Sequence, residues 1–319
     1  MKNLLKISFI ALFTFLAIIG TSCESDDDDN PIDNSIAGIA SKTANLSILV
    51  EALNKVSLTT TLTSSGTYTV FAPTNAAFTT FLATTPYATI NDVPNAVLKE
   101  ILLNHVIGSV AKSTDLSTGY IKTLGKGASS TTNTLSMFVN VETTGVTLNG
   151  VSMVTTADIL ASNGVIHIVD EVINLPTIVT HALANPNFTS LVGALTSAGQ
   201  PDFVSILSGT GPFTVFAPTN NAFTALNTEL APGGIAGVSS GNLTKVLQYH
   251  VVNGGILAGS LTDGQIVQTL QTPQTFTIQL ASGAKIKDAN NRISTIIATD
   301  VQCANGVIHV LDKVLLPIL

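Results

Sequence analysis

The order of apolar and polar positions sets out the elements. Between residues 36 and 56, Ile36, Ile39, Ala40, Leu46, Leu49, Val50 and Leu53 recur at the spacing of an amphipathic helix, with a break near Thr43-Ala44. Thr69, Val70 and Phe71 are β-branched or aromatic and predict a strand over 67–72. Pro73 holds Ala72 out of the α region and ends that strand. Thr74 then has the chemistry of a helix N-cap, and Ala76, Ala77, Phe78 and Phe81 predict a helix over 74–82. Pro94 suits the first turn of another helix, whose buried face is Val97, Leu98, Ile101 and Leu102. After His105 the pattern changes to short strands. Residues 135–141 and 146–150 flank Glu142-Thr-Thr-Gly145 as a hairpin, and the turn pair Asn163-Gly164 feeds a last strand over 165–169. Helices lead and strands follow, so the class is α+β.

This pattern is written twice. The run Tyr68-Thr-Val-Phe-Ala-Pro-Thr-Asn-Ala-Ala-Phe78 returns as Phe213-Thr-Val-Phe-Ala-Pro-Thr-Asn-Asn-Ala-Phe223, identical at nine of eleven positions and offset by 145 residues. Leu102-Leu-Asn-His-Val106 returns as Leu247-Gln-Tyr-His-Val251, also at 145. The block Asn45–Leu53 returns as Asn187–Leu195 at 142, and Asn163-Gly-Val-Ile-His-Ile-Val-Asp170 returns as Asn305-Gly-Val-Ile-His-Val-Leu-Asp312 at 142, which predicts one short insertion before Phe213 and one short deletion after His250, both in loops. A repeat of about 140 residues is domain-sized, far above solenoid periods. The expected organisation is a leader over 1–22, a tether over 23–34, and domains over 35–176 and 177–319. The connection Leu175-Pro176-Thr177 is short enough to restrict motion between them.

Composition changes this picture little, and charge changes it at one end. Hydrophobic residues are 45% of the chain and charged residues 10%, so a large core is available. Net charge is −7, but from Ser35 onward 14 acids face 11 bases. A near-neutral body with no basic patch and few aromatic residues excludes a nucleic-acid partner. Lys2 and Lys6 followed by an apolar run over 7–19 read as a targeting segment, too short for a spanning helix. Gly20-Thr-Ser-Cys23 resembles a bacterial lipobox, with Gly20 where Leu is usual, which implies a lipidated Cys23 and attachment to the membrane through lipid alone. The alternative is an ordinary secretory signal. The acidic run over 24–29 resembles the surface-export signal of Bacteroidetes-type lipoproteins, implying an outer-membrane lipoprotein displayed on the cell surface.

The three repeated blocks, T-V-F-A-P-T-N-x-A-F, a central His-Val after an apolar helix, and N-G-V-I-H-x-x-D, together resemble the fasciclin domain. The resemblance covers 36–176 and 178–319. It implies two tandem domains, each a β-sheet wedge flanked by several α-helices. It also implies a non-enzymatic, extracellular adhesion module whose partner is a protein or a glycan. In animal relatives the central Tyr-His region and an Asp-Ile stretch are implicated in receptor or matrix contact. Those positions are Tyr249-His250 here, with Asn104-His105 in the first repeat, and Asp158-Ile159.

The remaining polar residues are expected to be structural. Phe71 and Phe216 should be core anchors and Pro73 and Pro218 corners. Thr74 or Asn75, with Thr219 or Asn220, should stabilise the helix starts. His167 and His309 lie in apolar strands without a Cys, Asp or Glu at ligand spacing, so backbone hydrogen bonding is expected in place of a metal. Asp170 and Asp312 fit Asx-type turns. Cys303 aligns with Ala161 and reads as a small packed residue. No catalytic, phosphate-binding or cofactor motif is present, so no cofactor is expected. Two other readings stay open: a small-ligand or polysaccharide-handling envelope protein, and a structural surface component without a ligand.

Overall fold

The computed structural model describes residues 33–319. Cys23, the leader and most of the tether lie outside them. In the first repeat the helices are α1 (Ile36–Lys42), α2 (Ser47–Lys55), α3 (Thr59–Thr63), α4 (Asn75–Ala83) and α5 (Asn95–Asn104). The strands are β1 (Tyr68–Pro73), β2 (Val106–Ile107), β3 (Gly119–Lys126), β4 (Thr134–Glu142), β5 (Gly145–Leu148), β6 (Ser152–Ala161) and β7 (Gly164–Val169). They form one sheet of order β2-β1-β7-β6-β5-β4-β3. The helix break expected near Thr43 separates α1 from α2, where Ala44–Leu46 is a 3₁₀ turn. Pro94 sits one residue earlier than expected, at the N-cap before α5.

The second repeat places α6 (Ile178–Ala184), α7 (Thr189–Leu195), α8 (Phe203–Ser208), α9 (Asn220–Glu229) and α10 (Ser240–Tyr249) in the same order. Its strands are β8 (Phe213–Pro218), β9 (Val251–Asn253), β10 (Ile266–Gln268), β11 (Thr275–Gln279), β12 (Lys285–Lys287), β13 (Ile293–Cys303) and β14 (Gly306–Leu311). Their order is β10-β11-β12-β13-β14-β8-β9, the same arrangement.

In each sheet one pair is parallel, and it joins the two most similar blocks of the repeat. β1 runs beside β7 with Phe71 opposite His167, and β8 beside β14 with Phe216 opposite His309. The rings stack at centroid distances of 5.4 and 5.3 Å. Phe71, Phe78 and Phe216 are fully buried. The β1–α4 corner is built as its residues dictate. Pro73 closes the strand, and the Thr74 hydroxyl accepts from the Ala77 N–H at 3.2 Å. Thr219 caps α9 in the same way through Ala222 N–H. Asn75 does different work: its Oδ1 accepts from Ile48 N–H and its Nδ2 donates to Ala44 O, tying α4 to the start of α2. Asn220 ties α9 to the start of α7 through Ser190 N–H and Pro186 O. Thr74→Ala should therefore cost about 1 kcal/mol, measured as a shifted urea midpoint at unchanged m-value.

The strands β6 and β13 are long and were not legible as such. Each carries bulges against its neighbour, and Asp158 and Asp300 take positive φ there. The middle of β6 is largely exposed, so alternation is lost.

The connection between the second and third helices is longer in the second repeat, 196–202 against 56–58, and past His250 the repeats differ in two more loops. Ile121 pairs with Met137 across 15 intervening residues, whereas Val267 pairs with Phe276 across eight. Leu148 and its partner Ser152 enclose three residues, but Ile286 and Ser294 enclose seven. The single short deletion expected after His250 is thus a shorter hairpin and a longer turn.

Candidate functional site

The four central positions are interior. Tyr249 and Asn104 are fully buried, and His105 and His250 nearly so. His105 lies between Ile101 O, 2.7 Å from Nδ1, and Ile173 N–H, which donates to Nε2 at 2.8 Å. A backbone N–H can only donate, so Nε2 is the acceptor and Nδ1 carries the proton. His250 repeats this between Val246 O and Leu315 N–H, at 2.7 and 2.9 Å. Burial pushes both imidazoles down to about 4. The Tyr249 hydroxyl donates to Thr275 O and accepts from Ala289 N–H, and burial raises it to about 12. Asn104 uses Nδ2 on Ile173 O and Asn174 O. The expected contact surface at Tyr249, His250, Asn104 and His105 is therefore corrected. Asn104, His105 and His250 knot the end of the helix to the segment after the last strand, and Tyr249 ties it to β11 and the residues after β12, all out of a partner's reach.

Asp158 is half-buried and latches a loop, accepting from the Ser113 N–H at 2.8 Å and the Ser113 hydroxyl at 2.5 Å. Those bonds hold its carboxyl below the usual carboxylate range. Its own N–H donates to His167 Nδ1, while His167 Nε2 bonds Ala111 O. Asp300, His309 and Ile256 O repeat that chain. Ile159 packs on the core of the first repeat. His105 and His167 thus serve separate backbone knots. Asp170 and Asp312 accept from Met153 and Thr295 N–H across neighbouring strands, in place of the expected Asx-type turn. Cys303 is buried, and burial raises its thiol.

Sequence reasoning missed Asn163 and Asn305. Each accepts from the first N–H of its repeat's leading helix, Ile36 or Ile178. Each also donates to two carbonyls at the end of the third helix, Leu62 O and Ser64 O or Leu207 O and Gly209 O. Their identity in both repeats was the available signal.

The seam between the repeats was also missed. The longer β3–β4 hairpin of the first repeat reaches the β13–β14 turn of the second. Ser129 N–H donates to Ala304 O at 3.0 Å and its hydroxyl to Cys303 O at 2.7 Å. Gln302 N–H donates to the Ser136 hydroxyl at 3.0 Å, and Gln302 Nε2 to Ser129 Oγ at 2.9 Å. Lys122 Nζ bonds Ser136 Oγ and Asp300 O, and burial lowers its ammonium. Tyr120 packs on Phe138 and edge-on to His181, centroid distances 5.0 and 5.3 Å. His181, on α6, is fully buried, and neither ring nitrogen has a hydrogen-bond partner among the described residues. Burial, then the nearby Lys122 charge, pushes it down to about 3. The aligned residue in the first repeat is Ile39, the signal that position 181 is an apolar place.

The fasciclin domain model matches residues 44–176 and 186–317. The chain belongs to the fasciclin family, as a tandem pair of its domains. The protein sll1483 of Synechocystis sp. is 41% identical over 143 residues, covering 44% of this chain and 73% of that protein. Human periostin is 29% identical over 258 residues, covering 79% of this chain and 28% of periostin. Among solved structures, a domain pair from the insect cell adhesion molecule Fasciclin I matches with TM-score 0.50 and 18% identity, covering 85% of this chain and 95% of that one. That likeness concerns the fold.

Proposed function

We propose that this chain is a non-enzymatic adhesion module that works outside the cell, held to the outer membrane by a lipid on Cys23 and displayed at the cell surface. Its partner is an extracellular protein or glycan. The observation that carries this reading is the pair of fasciclin domains, a unit shared with an insect cell adhesion molecule. The buried polar groups support it. His105, His167, His250 and His309 are each spent on two backbone partners, which leaves no free general base among them. The acidic run over 24–29 supports export.

Deleting residues 26–29 should move the protein from protease-accessible to protease-protected on intact cells. The unmodified strain should bind a matrix of extracellular protein and polysaccharide more strongly than a strain lacking the gene. Equal protease sensitivity after the deletion rejects surface export through that run, and equal binding of the two strains rejects adhesion.

A further inference from the structure

We infer that a cleft in the first repeat, beside the seam, is a binding site for a neutral saccharide. The cleft has a volume of about 490 Å³ and lies between α4, the β5–β6 turn and the segment after β7, with Thr180 of α6 at its edge. This inference narrows the proposed adhesion reading to one ligand class and one site, and it rests on that reading.

The second repeat shows what this locus requires when it is closed. There the seven-residue turn carries Arg292, whose Nη1 donates to Val314 O at 2.8 Å and to Asp288 Oδ2 at 3.2 Å. Its Nη2 donates to Glu229 Oε2 at 2.6 Å. Asn290 Nδ2 reaches on to Leu316 O and Pro317 O. In the first repeat the position of Val314 is Val172, that of Leu316 is Asn174 and that of Glu229 is Thr84, by the offsets of their blocks. All three line the cleft. The three-residue turn there supplies no arginine, and among the described residues no donor reaches the Val172 carbonyl.

The groups left in the cleft select the ligand. Asn149 lines it, is 3% exposed, and has its Nδ2 unpartnered while Oδ1 is taken by Phe138 N–H. A buried amide donor without an acceptor is costly and calls for one. The Val172 carbonyl and the Glu171 carboxylate call for donors. A guanidinium only donates and would leave Asn149 unsatisfied. A phosphate or carboxylate only accepts, and Glu171 repels it. Sugar hydroxyls donate and accept together, and the C–H face of a pyranose suits the apolar walls of Phe81 and Val151.

The test is titration of the purified full chain with neutral tetra- to hexasaccharides of glucose, mannose, xylose and N-acetylglucosamine, followed by calorimetry and by amide chemical shifts. Saturable binding of at least one series is expected, with shifts centred on Val151, Glu171 and Thr180. Glu171→Ala and Thr80→Arg should each weaken it by about tenfold or more, with melting curves unchanged. Binding of none of the series overturns the site, as does saturable binding that both variants retain. Saturation by N-acetylarginine amide in preference to every sugar overturns the ligand class. Loss of sugar binding in Thr80→Arg, with cell-to-matrix adhesion intact, would overturn the link to adhesion while leaving the site. A strain that never adhered would fail the proposed function separately.

Discussion

Acid should unfold the protein well above the pH at which its carboxylates are neutralised. His105 and His250 are buried neutral with folded values of about 4, and His181 with about 3, against 6.5 when exposed. The sign follows from linkage. Below pH 6.5 the unfolded chain takes up these protons and the folded chain does not, so stability is fully present above 6.5 and falls as pH drops towards 4. At pH 4.5 each group contributes about 2–3 kcal/mol of destabilisation, together about 8 kcal/mol, a large share of a typical domain's stability. The carboxyls of Asp33, Asp92, Asp158 and Asp202 are held low by local hydrogen bonds, so their contribution is lost only at lower pH. Far-UV circular dichroism against urea at pH 7.5 and 4.5 should show a midpoint that collapses at the lower pH. An unchanged midpoint contradicts neutral buried histidines.

The second large effect is expected from His250→Ala or His105→Ala. Each removes a ring from the core and leaves two backbone partners without their bond, Val246 O and Leu315 N–H or Ile101 O and Ile173 N–H. The cavity and the orphaned groups together should cost about 3–5 kcal/mol. His→Gln at either place should recover part of that loss and remove that residue's share of the acid sensitivity. A surface role would give the opposite result: unchanged stability and altered partner binding.

The positions that bear on contact are the ones the sequence conceals. The repeat, the strand–Pro–helix corner, the Thr74 cap and the order of elements follow from local chemistry, and local chemistry is readable in a line of residues. The surface expected at Tyr249-His250 came from the family resemblance, and the residues themselves do not contradict it, because an exposed polar side chain and one bonded to buried backbone are spelled alike. What separates them is a partner such as Leu315, 65 residues away, or Thr275, 26 away. The strand β6 was hidden because its bulges break the alternation by which strands are recognised. The cleft and the seam were hidden for another reason. They arise where the two copies differ, in a long β3–β4 hairpin and a short β5–β6 turn, and the meaning of such a difference depends on what lies opposite it. The hairpin finds Ala304 and Gln302 of the second repeat. The short turn leaves uncovered what Arg292 covers in the other copy.

That the two repeats form one body is tested most directly by scanning calorimetry of the full chain. The seam bonds and the buried Tyr120–His181 contact predict a single transition, with equal calorimetric and van't Hoff enthalpies. Gly127→Val should split it into two, because a side chain at Gly127 begins 2.4 Å from Ala304 Cα. Two independent transitions in the unmodified chain would contradict the single body.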